Sequence, residues 1–146
     1  MNSHKKNNLG KRCIAGLIDY TIIWTFCYVF IYSFGSPNDE GGYSVTGLLA
    51  LIPVGFWFSF TVLLELFFGA TVGNSIIGLE PKSLTRNNGQ LTFSQSFKRH
   101  LLDPLDMFPF GLIGVITIKN TEKHQRLGDL WAKTIVVSKN VLDEGN

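Results

Sequence analysis

Long apolar runs alternate with short polar stretches along the chain, and charge is almost confined to the latter. The first run, residues 13–34, is about 22 residues long, enough for a bilayer crossing at about 20 residues per span. Asp19 is its only charge. At about 100° per residue, Arg12, Gly16 and Asp19 fall on one helix face, so this span is expected to pack against something polar. A second apolar run covers 45–68 and includes Pro53, Gly55, Trp57 and, near its end, Glu65. The polar stretch 35–42 (Gly-Ser-Pro-Asn-Asp-Glu-Gly-Gly) is short, which predicts an antiparallel transmembrane helix hairpin. In the next, polar segment, residues 75–80 and 91–93 flank a turn-rich stretch containing Asn88-Gly89. That pattern predicts strands within 75–93, and Thr92-Phe-Ser-Gln95 (with Ser94 as an alternative cap) predicts a helix start. The third block, 101–118, is interrupted by Asp103, Pro104, Asp106 and Pro109, leaving only 108–118 cleanly apolar. About 11 residues are too few for a span, so a broken or re-entrant helix is expected there. The β-branched run 132–138 predicts a last strand.

The fold class is therefore a mainly α membrane protein, residues 1–146 forming one membrane domain with a small cytoplasmic β element. Composition agrees: 45% of residues are hydrophobic, 16% are charged, and mean hydropathy is +0.18. A net charge of only +2 gives no electrostatic case for nucleic-acid binding. Cys13 and Cys27 lie about four helical turns apart on one run, which excludes a mutual disulfide within a helix and offers no metal-ligand spacing. The run 13–34 is too long for a secretory h-region, contains Asp19 and lacks a small-residue cleavage pattern, so a retained first span is expected.

Cation placement predicts orientation. Lys5, Lys6, Lys11 and Arg12 precede the first run; Lys82, Arg86, Lys98 and Arg99 lie in the middle segment; Lys119, Lys123, Arg126, Lys133 and Lys139 follow the third block. The loop between the first two runs has only Asp39 and Glu40. The positive-inside rule puts that loop outside and the N-terminus, middle segment and tail in the cytoplasm. The third block then either re-enters from the cytoplasmic side or carries a charged tail across. Its prolines and aspartates favour re-entry, and the tail strand would then be free to pair with the middle-segment strands.

On that topology Arg12, Asp19, Glu65, Arg99, Asp103, Asp106, Arg126 and Asp129 converge at the inner leaflet. Such a cluster is either a structural ion-pair network or a site for a cation, a proton or an anionic lipid head group. Arg12 and Asp19, on one face, are expected to interact. No phosphate loop, dinucleotide fingerprint, nucleophile elbow or paired-cysteine motif occurs, so no enzyme activity, cofactor or metal is expected. His100 and His124 are expected to be interfacial residues without a catalytic role. At 69–73 the Gly-x-x-x-Gly spacing falls at a helix end and predicts a turn, Gly111-x-x-Gly114 predicts close packing, and Trp131 is a candidate for the membrane surface.

Several of these residues also form recognisable motifs. Arg12-x-x-Ala15-x-x-x-Asp19, the glycine-rich segment 69–78, Phe97-Lys-Arg99 and the run 125–137 (Gln-Arg-Leu-Gly-Asp-Leu-Trp-Ala-Lys-Thr-Ile-Val-Val) together resemble the RDD family, in order and over nearly the whole chain. Asn74-Ser75 departs from it, where many members carry a basic residue. The resemblance implies a multipass bacterial membrane protein, with transport suggested. Two functions follow as expectations. One is ion- or proton-coupled transport through a homo-oligomer in the inner membrane, using the Arg/Asp cluster, because two or three helices enclose little on their own. The alternative is a non-catalytic membrane adaptor that binds lipid or protein and in which the cluster is structural.

Overall fold

The computed structural model describes residues 8–106 and 111–139. Lys5 and Lys6 of the basic arm, and Phe108 and Pro109 of the third block, lie outside the described residues. The chain is mostly helical, with two helices long and apolar enough to cross a membrane and two small two-stranded sheets. The first, α1 (Leu9–Phe34), has 26 residues. At 1.5 Å per residue it is about 39 Å long, more than the hydrocarbon core requires. It starts before the apolar run and so carries Lys11 and Arg12 in its first turn. A short pairing of β1 (Ser36–Pro37) with β2 (Tyr43–Ser44) leads into the second long helix, Gly47–Phe68.

That second helix is not uniform. It opens as a 3₁₀ turn (Gly47–Ala50), continues as α2 (Leu51–Phe58), widens into a π-helical turn (Ser59–Leu63) and closes as α3 (Leu64–Phe68). π turns inside helices commonly mark functional or packing sites. Here the Ser96 hydroxyl donates to the Val62 carbonyl within the wide turn, 3.2 Å away. Gly69 ends the helix in the left-handed region (φ 80°), as its place after the apolar run predicts.

The middle segment differs from the expected strand pair. Residues 75–77 belong to a helix, α4 (Val72–Ile77), because the Thr71 hydroxyl caps it by accepting from the Asn74 N–H and Gly78 (φ 72°) stops it. Only after that glycine does β3 (Leu79–Ser83) begin. Residues 91–93 form no strand, since Thr92 is the N-cap of α5 (Phe93–Leu101), with the predicted reciprocal Thr92–Gln95 capping box. Asn88-Gly89 does make a turn, closed by Ser83 N–H to Gly89 carbonyl at 2.8 Å, but no second strand follows it. The partner of β3 is instead β4 (Thr134–Ser138), antiparallel, with Leu79 opposite Ser138 and Ser83 opposite Thr134.

The third block is a series of short pieces, α6 (Asp103–Asp106) and α7 (Leu112–Asn120), before α8 (Leu127–Ala132). Among the described residues the longest has nine residues, far below span length. Gly111 takes φ 79° at the entry to α7, whereas Gly114 is the packing glycine: a Cβ there would lie 2.9 Å from the Asp106 carbonyl oxygen.

Burial is inverted relative to a water-soluble domain. Among the described residues fifteen polar or charged side chains are buried against nine hydrophobic ones, while Trp24, Tyr28, Phe67, Phe68 and Leu48 stand exposed. Soluble proteins almost never bury Lys, Glu, Arg or Asp in such excess. A polar interior with an apolar exterior is what a lipid solvent selects. Cys13 and Cys27 are free thiols.

Candidate functional site

The polar interior is organised around Asp129 and Arg99, both fully buried. Asp129 is the third residue of α8, and its Oδ2 accepts the Arg126 backbone N–H at 3.1 Å, closing the start of that helix. The same oxygen pairs with Arg12 Nη2 from the first turn of α1, and Oδ1 with Arg99 Nη1 of α5 at 2.5 Å. Burial alone would raise this carboxyl, but Arg99, Arg12 and Arg126 outweigh it and hold it well below the usual carboxylate range. Arg12 also donates through Nη1 to the His124 carbonyl at 2.6 Å. One arginine in the first turn of the first span thus clamps the tail of the chain.

Arg99 joins the tail to the second span. Its Nε donates to Glu65 Oε1 at 3.0 Å, its Nη2 to Glu65 Oε2 at 3.4 Å and its Nη1 to the Thr134 hydroxyl at 3.1 Å. The Ser96 hydroxyl also lies 3.1 Å from Glu65 Oε1, so its one proton is shared between that oxygen and the Val62 carbonyl. A bidentate guanidinium with this many partners is the arrangement in which a buried ion pair offsets its desolvation.

His100 continues the lattice on the next residue. Its Nε2 lies 3.1 Å from Glu65 Oε2 and its Nδ1 2.7 Å from Asp103 Oδ2. Burial opposes charge on the ring, but Glu65 and Asp103 outweigh it and push the imidazole up to about 9. Both nitrogens then act as donors. In turn Asp103, which burial would raise, is held below its ordinary value by His100 and Arg126. The His100 contribution to stability is complete below its ordinary value of 6.5 and is lost as pH rises through about 9, because the folded state binds the proton more tightly than the unfolded one. Purified protein should therefore lose thermal stability over that window, and the pH slope should flatten in a His100→Gln variant. An unchanged slope would remove the charged-histidine assignment.

Six of the eight expected site residues, Arg12, Glu65, Arg99, Asp103, Arg126 and Asp129, form this connected lattice. Asp19 and Asp106 are held differently, and the expected Arg12–Asp19 interaction gives way to Arg12–Asp129. Asp19 Oδ2 accepts from the Thr71 hydroxyl at 2.6 Å and Oδ1 from the Gly73 N–H at 2.7 Å. The reason is steric: a Cβ on Gly73 would fall 2.1 Å from the Ala15 carbonyl oxygen, so only glycine lets α4 cross α1 closely enough to aim the Gly73 N–H at Asp19. Asp106 likewise accepts the Leu127 and Gly128 N–H groups, at 3.0 and 3.2 Å, at the start of α8. Burial raises this carboxyl despite Arg126 and those two donors. Both aspartates take up backbone N–H groups at a helix start, a use that charge counting does not reveal.

Sequence reasoning missed His100, taken for an interfacial residue, although its i,i+3 spacing to Asp103 on a helical stretch was a usable signal. It also missed Thr71 and Thr134, for which no signal exists short of the tertiary contacts. Beside the lattice, between α1 and the α5–α6 junction, lies a cavity of about 30 Å³ lined by Asp19, Tyr20, Thr71, His100, Asp103 and Arg126 among others. It has room for about two water molecules. Among the described residues Tyr20 Oη, Asp103 Oδ1 and Arg126 Nε are buried without a hydrogen-bond partner, and all three residues border this cavity.

Arg12, Arg99, Arg126 and Asp129 of this lattice come from the motifs at 12–19, 97–99 and 125–137, and Asp19 of the first motif bonds Thr71 and Gly73 of the segment 69–78, so the four motifs are linked in space as well as in order. No curated protein and no solved structure matches the chain. The model of the RDD family matches residues 7–133, which takes in the whole charged lattice. The chain belongs to the RDD family, a family of membrane proteins.

Proposed function

We propose that the chain is a multipass inner-membrane protein that carries protons or cations through a homo-oligomer, with Asp19 and the cavity beside the lattice as its working site. The observation that carries this is a polar cavity set in an otherwise apolar-faced molecule and bordered by a carboxylate of the first span, Asp19, together with His100 and Asp103. An ionisable residue within a membrane span is a functional-site hypothesis by default. A cavity of about 30 Å³ is not a pathway, so passage requires neighbouring copies. In this topology the spans form a hairpin with the region 36–44 outside, and the N-terminus, middle segment and tail lie on the cytoplasmic side. The β3–β4 pairing and the Arg12–Asp129 contact support it, since they keep the start of α1, the middle segment and the tail at one end of the molecule. The third block then re-enters without crossing. No enzymatic step is assigned to the chain.

Flux in proteoliposomes under a pH or cation gradient tests the proposal. The parent is expected to give a pH-dependent flux, with its midpoint moved in Asp19→Glu and the flux absent in Asp19→Asn. Asn keeps the size of Asp and one acceptor for the Gly73 N–H, so the variant should still elute as folded protein. Flux no greater than in empty liposomes, or an Asp19→Asn variant as active as the parent, would remove it. The second reading, a non-catalytic membrane adaptor with a structural lattice, is favoured by the mutual pairing of nearly all the buried charges. It becomes the better account if no flux is found.

A further inference from the structure

We propose that α5 and α8, though too short to span, lie in the bilayer beside the second long helix, with Lys98 and Trp131 at the level of the phospholipid head groups, where Lys98 favours anionic lipid. The inference rests on the family's membrane location and is independent of whether the lattice conducts ions.

Helix α5 has its faces reversed. Gln95, Ser96, Arg99 and His100 are buried, while Phe93 is 51% exposed and Leu101 46% exposed. Residues 93, 97 and 101 recur every four positions and so form one apolar stripe. Its outward direction makes no sense in water, because the same helix turned about its axis would bury the stripe and hydrate the charges. Helix α8 repeats the pattern: Gly128, Asp129 and Ala132 are buried, and Leu130 and Trp131 are exposed.

Two observations identify lipid as what covers this face. The first is depth. Phe58 of the second long helix packs edge-on against Phe93 and Phe97, with ring centroids 6.0 and 6.3 Å apart. Phe58 precedes the exposed Phe68 at the end of that helix by ten residues, about 15 Å along its axis. The start of α5 therefore lies alongside the apolar part of the span and not beyond its end. The second is chemistry. Lys98 Nζ sits 5.3 Å from the centre of the Trp131 ring, so an ammonium and an indole share one edge of the face. Tryptophan and lysine of this kind belong at the membrane–water boundary, the indole in the interface and the ammonium among phosphates. A second copy fits less well, because a two-fold interface centred here would bring Lys98 towards its own equivalent.

Tryptophan fluorescence tests the proposal. In the full chain carrying Trp24→Phe and Trp57→Phe, Trp131 becomes the sole indole. In vesicles containing phospholipids brominated near the head-group end of the acyl chains, its emission is expected to be quenched, and to be shielded from aqueous iodide. Quenching should strengthen when phosphatidylglycerol is mixed into phosphatidylcholine, and that dependence should be lost in Lys98→Gln. Phe93→Trp in a background lacking the other three indoles reports on the start of α5, which packs beside Phe58, with stronger quenching expected from bromines placed deeper. Emission quenched by iodide and not by bromolipid at both positions would overturn the proposal. Shielding from both quenchers, with a dimer in detergent, would overturn it in favour of a second copy.

Discussion

Replacing Asp129 by Asn is expected to destabilise the folded protein by about 3–5 kcal/mol, the usual cost of removing one partner from a buried ion pair. Asp129 is fully buried and receives Arg12 from α1, Arg99 from α5 and the Arg126 backbone N–H. Asparagine keeps its shape but not its charge, so Arg12 loses its counter-ion and Arg99 keeps only Glu65, where water cannot replace the loss. Unfolding in detergent by denaturant, followed by circular dichroism, measures the loss. The clamp between the first span and the tail is tested by adding Arg12→Met. If Arg12 and Asp129 interact as placed, the double variant costs less than the two single losses summed. Additive losses would mean that the clamp does not exist in solution. Pairing Arg12→Met with Asp19→Asn should give near-additive losses, because Asp19 bonds Thr71 and Gly73 and not Arg12.

Gly73→Ala is expected to cost about 3 kcal/mol, the upper end for overpacking of a closed site. The added Cβ would meet the Ala15 carbonyl oxygen at 2.1 Å, its carbon at 2.8 Å and the Asp19 carboxyl carbon at 2.9 Å. Two of these atoms are backbone of a long helix and cannot turn aside, so α4 must move off α1 and the Gly73 N–H must leave Asp19. Gly55→Ala is the matched control in the second long helix. Nothing lies within 4 Å of its added Cβ, and alanine favours helix, so stability should stay level or rise by about 0.5–1 kcal/mol. Equal responses of the two variants in the same unfolding assay would show that the α1–α4 crossing is not closely packed.

Much of this protein was legible in its sequence. Two apolar runs of bilayer length, separated by a short polar stretch, lead to two long helices whatever else the chain does, because a lipid solvent demands internally bonded backbone. Gly69 after the second run stops the helix, and Thr92 with Gln95 starts α5, since each acts through bonds to its own neighbours. The clustering of Arg12, Glu65, Arg99, Asp103, Arg126 and Asp129 was also foreseeable, as charges bordering apolar segments have little else to pair with. Tertiary structure decided the partners. Arg12 and Asp19 share a helix face, yet Gly73 brings its own N–H to Asp19, leaving Arg12 to a residue 117 positions away. The strand at 79–83 found its partner at 134–138, because the Thr71 cap and the Thr92 cap turned both nearby candidates into helix. Glu65 and Asp103, from different elements, meet the two nitrogens of His100 and favour its charged form. Periodicity and capping act within a few residues and can be read along the chain, whereas the choice among several possible counter-ions depends on which backbones can approach, and that is settled only when the helices pack.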